Sequence, residues 1–334
     1  MPHPRLPRAA FGALALAALL CPLPSRAAEP PRPVAVTARA ITSFGLFATG
    51  TRYGRLDYRG GIQLVSPDAD FGGLSGFTLD AAGTRFVAVS DKGNWFAGTL
   101  IVEGDRPLGA DNVVTTPILG ADGRPLKAQR RQDVEALART PDGYAIGIER
   151  RHEIWRFKGA DPLLVRGQPV KTGTALAGLN YNQGVEALVG APVEGRPALI
   201  AVAEVDPEDL ARLPGFIVRA DGKVERFSIA RAGAFAATDM TLGPDGLLYL
   251  LERSYSPLTG VGMRIRRFPL AEVKRGASIA GEVMLEIGMS ANIDNMEAIA
   301  AHRNAAGETV LTVVSDDNFS ARQRTLLLRF AVVE

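Results

Sequence analysis

Acidic residues recur at two matching positions along this chain of 334 residues. Five short apolar segments share one pattern, and the second residues of these segments are Ser75, Glu135, Glu186, Asp239 and Glu297. Each segment is followed by a second apolar run that leads into an acid, and these closing acids are Asp91, Glu149, Glu204, Glu252 and Asp316. Nine carboxylates in a repeating pattern could supply oxygen ligands to a hard metal ion.

The repeating segments lie 51 to 60 residues apart, and each is followed by a turn that contains glycine. These turns are Ala82-Gly83, Asp142-Gly143, Glu194-Gly195, Asp245-Gly246 and Ala306-Gly307. Such pairs supply the positive φ that tight hairpins need. A period of this length, with several strands per unit, predicts an all-β fold: a β-propeller with five or six blades of mostly four antiparallel strands. The alternative is a β-sandwich whose hairpins resemble one another.

The ends of the chain determine how a propeller would close. The stretch after Glu297, together with the stretch from Ala28 to Ser75, is longer than one repeat, which leaves five and six blades open. With five blades, an N-terminal strand at residues 61–66 would close the ring beside residues 325–332.

Both acids of each repeat are expected at the same end of its hairpin, because antiparallel strands bring the opening and closing residues together. The first strand of each propeller blade lines the channel, so the acids would meet at one mouth. Carboxylates this close repel one another unless a cation lies between them. Calcium is the expected cofactor, and its candidate ligands are Asp91, Glu135, Glu186, Glu204, Asp239, Glu252, Glu297 and Asp316. For any single acid, turn capping or an ion pair is the alternative.

Basic residues directly follow several closing acids and would suit an anionic substrate. Lys92, Arg150 and Arg253 are the candidates for holding a phosphate at the reacting centre, and Glu149 is a further catalytic candidate. Additional candidates for substrate binding are Arg131, Asn318 and Arg324. The alternative is that these bases form salt bridges with neighbouring acids.

Other catalytic patterns are missing from the sequence. The segment Gly73-Leu74-Ser75-Gly76-Phe77 lacks the glycine that a nucleophile elbow needs at its fifth position. There is no glycine-rich phosphate loop ending in Lys-Ser/Thr and no His-Glu-x-x-His. Only His152 and His302 follow the N-terminal segment, so a histidine-rich zinc site is not expected.

The N-terminus has the pattern of a secretory signal peptide. Residues 1–8 carry two arginines and no acid, residues 9–20 form an uninterrupted apolar run, and Ser25-Arg26-Ala27 places small residues before a cleavage point. We expect residues 1–27 to be removed on the general secretory route. Residues 28–334 would then form a single domain in the periplasm or outside the cell. The only cysteine, Cys21, would leave with the signal, so packing rather than disulfides must hold the fold.

The charge of the processed chain argues against a nucleic-acid partner. The chain has 38 lysines and arginines and 36 aspartates and glutamates, and three of the arginines lie in residues 1–27, so processing changes the net charge from +2 to −1. No basic surface for nucleic acid is expected. No later apolar run reaches the length of about 18 residues that a membrane span needs. The expected partner is a small anionic or ester substrate, and we expect a monomer.

Several motifs resemble the bacterial phytase-like propeller family, whose description is esterase-like activity of phytase. The likeness extends from about Gly60 to Val332. The motifs that carry it are Gly72-Gly73-Leu74-Ser75-Gly76, Val89-Ser90-Asp91-Lys92-Gly93, Leu251-Glu252-Arg253, Asp294-Asn295-Met296-Glu297-Ala298-Ile299 and Val314-Ser315-Asp316-Asp317-Asn318-Phe319-Ser320. The resemblance implies a propeller, export, and phosphoester hydrolysis with calcium. The chain departs from the family in having Glu-Ala rather than Glu-Gly at 135, 186 and 297.

The leading hypothesis is an exported, calcium-assisted phosphoester hydrolase whose site lies at the acidic mouth. A metal-dependent lactonase-type hydrolase is one alternative, because one divalent cation and a carboxylate base suffice for that reaction. A non-catalytic propeller that binds a ligand at the mouth is another.

Overall fold

A computed structural model describes residue 1, residues 30–47 and residues 50–333 of the chain. The expected signal peptide, apart from its first residue, and Cys21 lie outside these ranges, so export stays a prediction. Within the described ranges no helix is long and apolar enough to pass through a membrane.

The described residues form five β-sheets arranged as the blades of a propeller. Each blade begins with an inner strand beside the central channel, and every inner strand contacts the inner strands of both neighbouring blades. The all-β propeller fold is therefore confirmed, with five blades rather than six.

Four strands precede the first inner strand: β1 (Arg32–Pro33), β2 (Thr37–Ile41), β3 (Arg52–Tyr53) and β4 (Leu56–Val65). Blade I contains β5 (Leu74–Leu79), β6 (Arg85–Ser90), β7 (Asn94–Glu103) and β8 (Arg106–Pro117), with β1 on its outer edge. Blade II contains β9 (Val134–Thr140), β10 (Gly143–Ile148), β11 (Glu153–Lys158) and β12 (Gln168–Pro169).

Blade III contains β13 (Val185–Val193), β14 (Arg196–Ala203), β15 (Arg212–Arg219) and β16 (Val224–Ala230). Blade IV contains β17 (Ala236–Leu242), β18 (Leu247–Ser256), β19 (Gly260–Pro269) and, after β20 (Ser278–Ile279), β21 (Glu282–Ile287). The short β20 pairs in parallel with β16 of blade III. Blade V contains β22 (Asn295–Arg303), β23 (Thr309–Asp316) and β24 (Thr325–Val332). Three 3₁₀ helices lie at Leu126–Gln129, Pro162–Leu164 and Leu270–Glu272.

The last blade is completed by the N-terminal part of the chain. Strand β4 pairs antiparallel with β24, from Thr325 opposite Leu64 to Val332 opposite Leu56. Strand β2 then pairs with β4 on the outside. The N-terminal closing strand is therefore found where the sequence predicts it, and it joins the two ends of the ring.

Apolar side chains fill the spaces between neighbouring blades. The buried residues form five clusters, one at each of the five blade interfaces. Trp95 and Trp155, for example, pack together with Phe157 between blades I and II. Packing across every interface makes the ring a rigid frame for the residues at the channel mouth.

The glycine turns hold the first two strands of each blade together at the end away from that mouth. In blade IV, Gly246 has a φ of 82°, which a side chain would disfavour. The carboxylate of Asp245 accepts a hydrogen bond from the N–H of Leu247 at 3.0 Å, which fixes the turn. The opposite end of the hairpin is thereby directed at the acidic mouth.

Candidate functional site at the acidic mouth

A β-bulge marks the start of four inner strands. The pairing of the inner strand with its neighbour skips one residue, and the skipped residues are Ser75, Glu135, Glu186 and Glu297. A bulge bends the strand and re-aims the unpaired residue. In blades II, III and V this places a glutamate beside the channel.

These residues line a cavity of about 380 Å³ at the end of the channel where the inner strands begin. Seven carboxylates lie on its wall, and together they define the acidic mouth: Asp91, Glu135, Glu149, Glu186, Glu204, Glu297 and Asp316. The other polar side chains on the wall are Arg150, Asn182, Thr238, Arg253, Asn295 and Asn318. The structure thus brings together six of the eight predicted metal ligands, together with Glu149, Arg150, Arg253 and Asn318.

Blade IV breaks the repeat by one residue. Its skipped residue is Thr238 rather than Asp239, because Ala237 pairs with Glu252 and Asp239 pairs with Leu251. In the other four blades the acid comes just after the pair that precedes the bulge, and at this position blade IV carries Arg253. Thr238 and Arg253 therefore occupy the positions that the sequence pattern gave to Asp239 and Glu252.

Asp239 and Glu252, two of the predicted metal ligands, do not line the cavity. The Asp239 carboxylate accepts hydrogen bonds from the N–H groups of Met240 at 2.7 Å and Ile299 at 2.8 Å, and so ties blade IV to blade V. The fully buried Glu252 carboxylate accepts two hydrogen bonds from Arg266, at 2.6 and 2.7 Å. Both carboxylates already have full sets of partners within the blades, so we leave them out of the cation shell.

The carboxylates at the mouth are electrostatically strained. Burial, reinforced by Glu297 and Asp133, holds the pKa of Glu135 well above its usual range. Burial, reinforced by Glu135 and Glu149, does the same for the pKa of Glu186. Burial is also the main cause that raises the pKa of Glu297 to about 7 and that of Asp316 to about 7. The charged forms of these groups lack compensation.

Two arginines supply part of the missing positive charge. The Arg253 Nε atom lies 3.0 Å from Glu297 Oε1, which joins blades IV and V. The Arg150 Nε atom lies 2.8 Å from Asp133 Oδ2. Two cations facing seven carboxylates leave the cavity strongly negative.

The sequence matches the family model described as Phytase-like, esterase-like activity of phytase, over residues 69–319. The chain belongs to this family. The match covers most of the chain and includes all seven carboxylates of the acidic mouth. No curated protein matches the sequence.

Solved propeller structures resemble this phytase-like propeller at low sequence identity. An endo-arabinase from Bacteroides thetaiotaomicron VPI-5482 has 9% identity and a TM-score of 0.47, covering 78% of this chain and 94% of that chain. The WD40 domain from Toxoplasma gondii coronin has 8% identity and a TM-score of 0.41, covering 92% and 89%. The Myceliophteria thermophila Cps50 (Swd1) β-propeller domain has 10% identity and a TM-score of 0.36, covering 90% and 100%. At these TM-scores the likenesses carry no functional argument.

The tightest acidic group of the phytase-like propeller includes a residue outside the repeat. One oxygen each from Asp133, Glu135 and Glu149 lie within 4.8 Å of one another. Asp133 immediately precedes β9, and its carbonyl accepts a hydrogen bond from the N–H of Glu149 at 2.9 Å. The repeat pattern missed Asp133, although its spacing of two from Glu135 places both on one side of an extended chain.

The chemistry of the mouth fits a hard cation. All the charged donors on the wall other than the two arginines are oxygens, which is the ligand type that calcium takes. The buried Oδ1 atom of Asp91 has no hydrogen-bond partner in the part of the chain that the structure describes. A bound cation would satisfy this oxygen and relieve the repulsion between the acids.

Three predicted substrate-holding bases lie off the cavity wall. The Lys92 Nζ atom lies 3.0 Å from the centre of the Phe319 ring and donates a hydrogen bond to the Ala69 carbonyl. Arg131 donates two hydrogen bonds to Glu153, at 2.8 and 3.0 Å. Arg324 lies 3.4 Å from Asp294 and donates to the Ile293 carbonyl. These contacts hold the loops around the mouth, and we omit the three bases from the proposed site.

Proposed function

We propose that this phytase-like propeller is a calcium-assisted phosphoester hydrolase that is exported from the cytoplasm and works at its acidic mouth. The proposal is carried by one observation: seven carboxylates and two arginines face one cavity of about 380 Å³. A phosphoester needs positive charge around its oxygens, and a cation held by these acids together with the arginines would provide it.

Asp133, Glu135 and Glu149 would hold the cation, because their oxygens already lie within 4.8 Å of one another. Glu149, a catalytic candidate in the sequence, is thus assigned to the cation shell. When bound, the cation would stabilise negative charge on the phosphate and make an attacking water more acidic. The wider family and the oxygen-only donor set both support calcium.

The remaining groups would bind and orient the substrate. Arg253 and Arg150 present guanidinium groups to the cavity and would hold the phosphate oxygens. Glu186 and Glu204 line the same cavity and could accept the proton that an attacking water gives up. The amides of Asn182 and Asn318 can bond to neutral parts of the substrate.

Phosphate release from a panel of phosphoesters tests this proposal. The processed chain, stripped of metal with a chelator, is assayed with and without added calcium. We expect release only with calcium, and a loss of at least about 100-fold in Glu135→Gln, which removes one charge from the shell. A matched control is Glu272→Gln, which changes a glutamate in the 3₁₀ helix Leu270–Glu272, away from the cavity.

Three outcomes would contradict the proposal. Calcium-independent release would remove the cation from the mechanism. Lactone opening without phosphate release would favour a lactonase-type hydrolase. Tight ligand binding without turnover would favour a binding propeller. Sequencing the N-terminus of the protein recovered from the periplasm or medium tests the export step.

A further inference from the structure

Large exposed apolar side chains gather on the loops around the acidic mouth. Seven of them lie there: Leu46, Phe47, Tyr181, Leu210, Tyr255, Leu258 and Met289. Leu258 is 95% exposed and Phe47 is 91% exposed, so these two side chains project fully from the surface. The other exposed side chains of this kind within the blades, among them Leu164 and Val283, lie toward the opposite end or the outer edges.

The β18–β19 hairpin shows how these side chains are raised above the mouth. Arg253 lies on the cavity wall, and the two strands continue beyond it to the pair formed by Ser256 and Gly260. Leu258 lies at the centre of the connecting turn. Since a strand advances roughly 3.3 Å per residue, the turn stands on the order of 10 Å beyond the level of Arg253.

Several of these side chains form one surface, which we call the rim patch: Leu46, Phe47, Tyr255, Leu258 and Met289. The N–H of Leu46 donates a hydrogen bond to the carbonyl of Ser290 at 2.9 Å, which brings the segment before β3 beside Met289. Met289 in turn packs on the hairpin, where a Cβ at Gly260 would lie 2.8 Å from its Cγ. The rim patch thus runs from blade V to the hairpin of blade IV.

Exposed apolar side chains of this kind mark a surface for a protein or a membrane. A protein or a second copy bound flat over the rim patch would cover the mouth and close the cavity to substrate. A lipid surface would instead bring the substrate to the cavity, because apolar loops can enter a bilayer while the polar mouth faces its headgroups.

We propose that the substrate is an amphipathic phosphoester, a phosphate headgroup on an apolar chain, taken from a lipid surface against which the rim patch docks. This inference rests on the proposed function. The headgroup would enter the acidic mouth beside Arg253, which belongs to the same blade as the hairpin. The apolar chain would lie against Leu258 and its neighbours in the rim patch.

Vesicles that contain phosphatidic acid in a neutral phospholipid test the proposal with the processed, calcium-loaded chain. Sedimentation measures vesicle binding, and phosphate release is measured in parallel on the vesicles and on p-nitrophenyl phosphate in solution. We expect the unaltered chain to bind the vesicles. Leu258→Ser and Phe47→Ser should each weaken vesicle binding and lipid turnover about tenfold, since each removes one large apolar side chain from the contact.

Turnover of the soluble phosphoester should be unchanged in both variants, because neither residue lines the cavity. The matched control is Leu164→Ser, which removes a 64% exposed leucine from the 3₁₀ helix that follows the turn end of blade II. This control should bind vesicles like the unaltered chain.

The possible failures are distinguishable. Absence of vesicle binding, or equal binding by the Leu258→Ser and unaltered chains, would overturn the rim patch as a lipid surface. A concentration-dependent dimer that Leu258→Ser dissociates would assign the patch to a second copy and also overturn it. Vesicle binding without turnover of either phosphoester would contradict the proposed function while retaining the docking surface.

Discussion

At the residue scale, the interruption in blade IV gives the mouth its polarity. The four other blades place an acid just beyond the bulge pair, and blade IV places Arg253 there, 3.0 Å from Glu297. The hydroxyl of Thr238 donates to the Met296 carbonyl at 3.1 Å, so it joins blades IV and V instead of adding charge. The anionic end of a substrate is therefore drawn toward blade IV.

Arg253→Gln should weaken substrate binding more than it slows the reaction. A hydrogen bond to a charged group contributes roughly 1.5–3 kcal/mol, so we expect KM for a phosphomonoester to rise about 10- to 100-fold with kcat changed little. Steady-state kinetics at saturating calcium measure both constants. Arg267→Gln is the control, because Arg267 is paired with Glu282 at the opposite end of the same blade. An unchanged KM in Arg253→Gln would remove Arg253 from the substrate site.

At the element scale, a buried ion pair holds blade IV in shape. Glu252 is fully buried between Arg266, at 2.6 Å, and Arg264, at 4.0 Å. Arg266 also donates to the carbonyls of Ala230 and Ala280, which connect β19 to blade III and to the segment before β21. The pair therefore sets the position of the strands that carry Arg253.

Glu252→Gln should destabilise the fold without changing the affinity for calcium. Removal of one partner of a buried pair costs roughly 3–5 kcal/mol, because the arginine charge stays buried. Urea unfolding measures this loss, and Glu282→Gln, in an exposed pair with Arg267, should cost less than about 1 kcal/mol. If Glu252→Gln instead lowered the affinity for calcium at unchanged stability, Glu252 would belong to the cation shell after all.

The elements also show how far the sequence could lead. The hairpin repeat predicted the blades, the closing strand and the seven carboxylates of the mouth, because strand pairing places equivalent residues at equivalent ends. It misplaced Asp239 and Glu252 because a bulge shifted by one residue leaves no trace in residue types. It missed Asp133, which has no counterpart that recurs in the other blades. Lys92, Arg131 and Arg324 follow or flank strands, where direction depends on loop contacts such as that of Lys92 with Phe319.

At the scale of the whole molecule, five rigid blade interfaces hold acids together that would otherwise separate. Burial raises the pKa of Glu149, Glu297 and Asp316 to about 7 and that of Asp91 to about 6. The folded, metal-free protein therefore binds more protons than the unfolded chain at pH values between the ordinary and the raised pKa. Stability must then fall as the pH rises through this interval.

The stability of the processed protein against pH, with and without calcium, tests the central claim most directly. Thermal melting of the chelated protein should show Tm falling as the pH rises from about 4.5 to about 7, because the acids lose protons that the fold favours. Saturating calcium should raise Tm at pH 7 and above and should remove or reverse this fall, since a bound cation replaces the protons. If Tm does not respond to calcium at any pH in this interval, the acidic mouth is no cation site.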